Sequence, residues 1–286
     1  MRMVKTITKK AMAATFATIC MLSTFTASVY AETSQLRSDN VVTEASVTNT
    51  GVNMNQTPVI LEDRLEQIKN DDSMSEEKRQ KHIEKIEYMI NLRDSSNKAR
   101  ATYTHTKYGK TLSVPFCKQD NNEYCGPATA QQTYKFYNGT APSQRVIATG
   151  VKYTAGVGCD VQNILDYLNN ELDTAYEQFW LSSNATNQNG SIQLICESID
   201  NGCPPIMWVS VSSTWGGNRD LSASGDTTKW PYTVGGHFLN ASGYTQNGQL
   251  YQMTDPWLTW VYTSNKTGKF WVNNYTTYMV TNVVSA

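Results

Sequence analysis

Cys125 stands where a thiol becomes reactive. It is followed by Gly126-Pro127-Ala128 and then a stretch without breakers to Tyr137, so a helix begins just after it. A thiol at a helix N-terminus feels the positive end of the helix dipole and the free amides there, which favours the nucleophilic thiolate. Gln119 precedes it by six residues and can bring a neutral amide donor beside the backbone N–H of Cys125. Two such donors hold the oxyanion of a tetrahedral intermediate, an interaction worth roughly 2.7 to 4 kcal/mol per donor.

A thiol needs a base. His237, in Gly235-Gly236-His237-Phe238-Leu239-Asn240, lies on an apolar alternation that reads as a strand, and the two glycines allow close backbone entry. His105, in a Thr-rich polar stretch, and His82, on a charged helical segment, read as solvated. Asp255 ends a second strand immediately before Pro256, which drives it to extended geometry. A hairpin turning at Gln246-Asn247-Gly248 would set Asp255 beside His237, to accept the Nδ1 proton and leave Nε2 facing the thiol.

Taken singly, each residue has a plainer reading. Cys125 would be buried or disulfide-bonded, His237 a satisfied core residue and Asp255 the opening of a proline turn. Their joint occurrence, with one well-placed base for one activated thiol, favours chemistry. Cys117, Cys159, Cys196 and Cys203 can pair among themselves in several ways and leave Cys125 as the odd thiol, while pairing of Cys117 with Cys125 would make activity latent until reduction. No Cys-x-x-Cys spacing of a zinc site occurs, and the mechanism requires no metal or cofactor. Gly236, Trp215 and Trp257 are candidate substrate-binding residues, although for each tryptophan taken alone core packing is the favoured reading.

The ordered set of Gln119, Tyr124-Cys125-Gly126-Pro127-Ala128, Gly236-His237, Gly243-Tyr244 and Asp255-Pro256-Trp257 resembles the bacteriocin-processing-like cysteine peptidases, a papain-like group, over about residues 112–280. The resemblance implies a papain-like fold, a thiolate–imidazolium pair, an acyl-enzyme intermediate, Gln119 in the oxyanion hole and Asp255 as orienter of His237. Transporter-fused members cut leader peptides after a double glycine. This sequence shows no transporter segments and carries a signal peptide, so that substrate is not carried over.

The elements that must position these residues are legible in outline. Residues 1–31 combine a basic start, a moderately apolar run and small residues ending at Ala31, the pattern of a secretory signal peptide. No later segment reaches the ~20 apolar residues of a membrane span. Residues 32–58 are polar and aperiodic, a flexible segment. Residues 59–100 are dense in charges of both signs and carry Ile60, Leu61, Leu65 and Ile68, then Ile83, Ile86 and Ile90, at helical spacing, with a capping box at Ser73 to Glu76. These two helices are either a pro-segment or an adaptor. Residues 101–286 form a catalytic domain with helices at 126–137 and 161–172 and strands after Pro204, an α+β fold of papain-like type.

A net charge of -1 gives no reason to invoke nucleic acid or anionic lipid. The expected partner is a peptide or protein substrate, cell-wall peptide included, for an extracellular or wall-associated cysteine peptidase, conceivably a zymogen. An amidase or transpeptidase acting on peptidoglycan or isopeptide bonds would use the same residues. A degenerate adhesion or binding domain would be expected to have lost at least one of them.

Overall fold

A computed structural model describes residues 59–98, 108–180, 188–211, 226–227, 232, 234–245, 248–261, 266–273 and 280–285. The expected signal peptide and flexible segment, His105 and Trp215 lie outside these residues.

Two helices come first, α1 (Leu61–Lys69) and α2 (Glu76–Lys98). Ser75 rather than Ser73 starts α2: its Oγ accepts the Lys78 N–H at 3.3 Å, whereas Ser73 turns back to Asp71. The buried line of α2 is His82, Ile86 and Met89, an i, i+4, i+7 stripe. His82 is therefore not solvated as its charged surroundings suggest. It is 1% exposed, with Nδ1 2.6 Å from Glu177 Oε1, and Arg64 from α1 meets the same carboxylate at 3.1 Å.

The helices α3 (Cys125–Asn138), α4 (Gln144–Gly150) and α5 (Val161–Glu171) follow. Gly139 closes α3 with φ 74°, the left-handed cap that a side chain would resist. Ser143 caps α4 and Asp160 caps α5 through their side-chain oxygens. The strands are β1 (Lys110–Thr111), β2 (Glu177–Trp180), β3 (Ile206–Val211), β4 (Asp226–Thr227), β5 (Val234–Thr245), β6 (Leu250–Thr254), β7 (Lys269–Asn273) and β8 (Val280–Ser285), with α6 (Gln188–Asp200) before β3 and α7 (Leu258–Val261) after β6. They form one sheet in the order β2-β8-β3-β5-β6-β7-β4, with β1 beside β5. Every pairing is antiparallel except the short parallel contact of β4 with β7.

Alternation along β5 sends side chains into two separate cores. Phe238 packs with Ile147, Ile164, Leu165 and Leu168 of α4 and α5 and with Cys125. Leu239 and Ala241 pack with Leu194, Ile195 and Ile199 of α6, and with Leu61, Ile68, Ile86, Met89 and Leu92 of the helical hairpin. The fold is α+β, as the sequence pattern predicts. The hairpin shares the α6 core, and the start of α3, at Cys125, packs into the other.

Candidate active site

Cys125 is the first residue of α3 and is 1% exposed. Its neighbour Gly126 lies against Cys159 Sγ and 3.5 Å, at a would-be Cβ, from Phe238, so that any side chain there would overlap the sulfur. This close approach lets the helix start press onto β5. Behind it a polar set bolts helix to strand. Thr129 Oγ1 donates to the Phe238 carbonyl at 2.9 Å, Thr133 Oγ1 donates to Asn240 Oδ1 at 3.0 Å, and Asn240 Nδ2 donates to Gln132 Oε1 at 2.9 Å. All of these side chains are buried, so their positions are fixed by hydrogen bonds that water cannot replace.

His237 enters from β5. Val209 pairs with His237 but Val211 with Val234, so Gly235 and Gly236 hold an extra residue opposite β3. A bulge of this kind re-aims the following side chain. The His237 ring hydrogen bonds with the Cys125 side chain and, through Nε2, donates to Asp255 Oδ1 at 2.8 Å. The orienting contact thus uses Nε2, the reverse of the nitrogen assignment expected from sequence.

Asp255 follows β6 and is fully buried. Its backbone N–H donates to the Gly268 carbonyl at 2.7 Å, and its Oδ1 also accepts the Trp257 N–H at 2.7 Å. Oδ2 accepts the hydroxyl of Tyr232, whose ring stands edge-on to His237 with centroids 5.9 Å apart. Burial disfavours the imidazolium. The Asp255 carboxylate, and then Cys125, outweigh it and raise the His237 pKa to about 10.

Gln119 is buried at 1% exposure. Its N–H donates to the Pro256 carbonyl at 3.2 Å, tying the segment before Cys125 to the segment after Asp255, and its Nε2 donates to the Asn121 carbonyl at 2.7 Å within the same loop. Gln144 steadies the same loop by bonding Lys118 O and Asp120 N–H, each at 2.8 Å. Gly236 is buried in the bulge, and the Trp257 indole sits in the core with Leu258 and Phe270. The contribution of Trp257 is its main-chain N–H. Tyr232, Asn240, Thr129, Thr133, Gln132 and Gln144 were not singled out by sequence reasoning. For Asn240 a signal existed, a polar residue on an otherwise apolar strand; for Tyr232 none did.

All five described cysteines are free thiols. Cys159 lies behind the start of α3, and burial, with Cys125 and Asp160 nearby, pushes its thiol well up. Burial likewise raises Cys117 and Cys196. Among the described residues no group of three or more His, Cys, Asp or Glu side chains converges on a metal position. A cavity of about 600 Å³ between α2 and α6, lined by Lys85, Tyr88, Tyr137, Glu197 and Cys203 among others, contains none of the residues around Cys125. Its charges are engaged locally: Tyr88 donates to Glu197, and Lys81 pairs with Asp173 at 3.3 Å.

A thiol on a helix terminus, facing an imidazole that is backed by a carboxylate on the adjoining strands of an α+β fold, is the arrangement of a papain-like cysteine peptidase. The chain belongs to the Peptidase_C39 like family, whose model matches residues 111–280. Among solved structures it is similar to xylellain, a cysteine protease from Xylella fastidiosa, with 14% identity over 67% of this chain and 88% of that one and a TM-score of 0.41. It is also similar to the peptidase domain of Streptococcus ComA, a bi-functional ABC transporter involved in a quorum sensing pathway, with 14% identity over 60% of this chain and 96% of that one and a TM-score of 0.36. None of the curated proteins matches it. Among the described residues no helix is long and apolar enough to cross a membrane.

Proposed function

We propose that this is a secreted cysteine peptidase that cleaves peptide bonds through Cys125, His237 and Asp255, with Gln119 contributing to the oxyanion hole. The observation that carries the reading is the double engagement of the His237 ring, by the Cys125 side chain and by Asp255 Oδ1 at 2.8 Å from Nε2. The Cys125 thiolate attacks the substrate carbonyl carbon, and the carbonyl electrons move to oxygen, where the Cys125 N–H and the Gln119 amide receive the charge. His237 Nδ1 then gives its proton to the leaving amine as the C–N bond breaks. Water attacks the thioester with His237 taking one of its protons, and the C–S bond breaks to re-form the thiolate and release the carboxylic acid, which gives its remaining proton to solvent.

The helical hairpin is proposed to be a standing part of the enzyme and not an inhibitor seated in the cleft. Its contacts support this: Arg64 and His82 hold Glu177, Lys78 donates to the Asn169 carbonyl, and its apolar residues join the α6 core. Secretion is proposed on the composition of residues 1–31. Incubation of the purified chain with a peptide library under reducing conditions tests the assignment. Cleavage by the native chain and none by a folded Cys125→Ala variant is expected. Degradation of purified peptidoglycan without cleavage of peptides or casein would replace peptidase by wall amidase.

A further inference from the structure

We infer that Tyr232 is a positioning residue for catalysis, holding the Asp255 carboxylate in the rotation that keeps His237 aimed at Cys125. The inference rests on the reading of Cys125, His237 and Asp255 as the catalytic set.

The side chain of Asp255 is fully buried, and rotation about its Cα–Cβ or Cβ–Cγ bond would swing its oxygens away from His237. Oδ1 is shared between the His237 Nε2–H at 2.8 Å and the Trp257 N–H at 2.7 Å. Two donors on one oxygen leave the rotation of the carboxylate plane to be set by the other. The Tyr232 hydroxyl supplies that second clamp by donating to Oδ2. The same side chain is 9% exposed and lays its ring edge-on to the imidazole, with an interplanar angle of 84°. Tyr232 thereby touches two members of the set at once and fixes their relative orientation. It lies five residues before His237 and just ahead of β5, so the strand that delivers the base also delivers its clamp.

Loss of the hydroxyl leaves a buried carboxylate oxygen without its donor. The carboxylate then turns toward other donors and holds the imidazolium less well. A weaker imidazolium has two consequences of opposite direction on the pH axis. The thiolate–imidazolium pair forms at higher pH, and the imidazolium needed to protonate the leaving amine is lost at lower pH.

The experiment compares wild type, Tyr232→Phe, Tyr232→Leu and Asp255→Ala as full chains, each verified as folded by circular dichroism. Two profiles are recorded: the pH dependence of Cys125 alkylation by iodoacetamide, which needs no substrate, and that of kcat on a cleaved peptide. Tyr232→Phe is expected to move the acid limb of alkylation up and the basic limb of kcat down, each by about one pH unit, and to lower kcat about tenfold with KM unchanged. Tyr232→Leu, lacking the ring as well, should narrow the profile further. Superimposable profiles for Tyr232→Phe and wild type, with Asp255→Ala displaced, would overturn the role of Tyr232 and leave the catalytic set standing. If Asp255→Ala is not displaced either, the reading of the set fails and the inference with it.

Discussion

Asp255 grips His237 by Nε2 at 2.8 Å, and the same ring hydrogen bonds with the Cys125 side chain. In the proposed mechanism the proton that the imidazole delivers comes from Nδ1, the nitrogen that Asp255 does not engage. Replacing Asp255 with Asn keeps the shape but removes the charge that balances the imidazolium in a buried site. The expected outcome is a fall in kcat of about 10² to 10⁴-fold with the fold intact, measured by peptide hydrolysis and circular dichroism.

The raised pKa of His237 has a stability consequence as well. The folded value, about 10, lies above the ordinary 6.5. The folded state therefore binds the extra proton between those values, and its stabilisation is complete below about 6.5 and lost as the pH rises through about 10. Urea unfolding of wild type and His237→Gln at several pH values between 6 and 10 checks this. Wild type should lose stability relative to the variant as the pH rises; parallel curves would show that the imidazole does not hold a proton in the folded state.

Much of this geometry was legible before the structure. The β5–β6 hairpin, with Asn240 opposite Thr254, follows from two apolar alternations and an Asn-Gly turn, and the α3 start follows from Pro127 and an uninterrupted run of helix formers. The ring orientation was not legible, because both nitrogens satisfy the same spacing and only the folded ring shows that Nε2 meets Asp255. His82 misled because α2 is polar almost all round: its buried stripe is bounded by lysines and glutamates, and the carboxylate that accommodates it comes from β2, 95 residues away. Tyr232 had no sequence signal because its partner is a side chain 23 residues on, across the sheet.

Glu177 is 1% exposed and accepts from both Arg64 and His82, so its removal leaves two donors facing each other without an acid between them. Breaking a buried pair this way costs roughly 3 to 5 kcal/mol. Glu177→Ala should lower the thermal midpoint markedly and loosen the hairpin, read as faster amide exchange in α1 and α2. A chain starting near residue 102 should expose the partners of Ile68, Ile86 and Met89 and aggregate. Full solubility with raised activity in that truncated chain would favour the inhibitory pro-segment.

Gly126 and Cys159 form a tight joint behind the nucleophile. A methyl at position 126 would overlap Cys159 Sγ and come within 3.3 Å of Ile164 Cδ1. Gly126→Ala should therefore displace the start of α3, destabilise by about 1 to 3 kcal/mol and depress kcat. Adding Cys159→Ala removes the sulfur and should recover a good part of both losses. Lack of recovery in the double variant would mean that the glycine is required by the backbone and not by the sulfur.

Asn240 offers the sharpest test of how the helix is registered on the strand. Its side chain accepts from Thr133 and donates to Gln132 and to the Thr129 carbonyl, three points on α3, from a strand position three residues beyond His237. Leucine at this position conserves volume but makes none of these bonds; Thr133 still reaches the Thr129 carbonyl at 3.2 Å, whereas the buried Gln132 Oε1 loses the Asn240 donor, at about 1 to 3 kcal/mol. Asn240→Leu should thus lower stability. Because the same bonds fix the distance from Cys125 to the imidazole, it should also slow Cys125 alkylation at neutral pH at temperatures where the variant remains folded. A variant that is destabilised yet alkylated at the wild-type rate would show that the thiol–imidazole contact is set by Gly126 and the bulge alone.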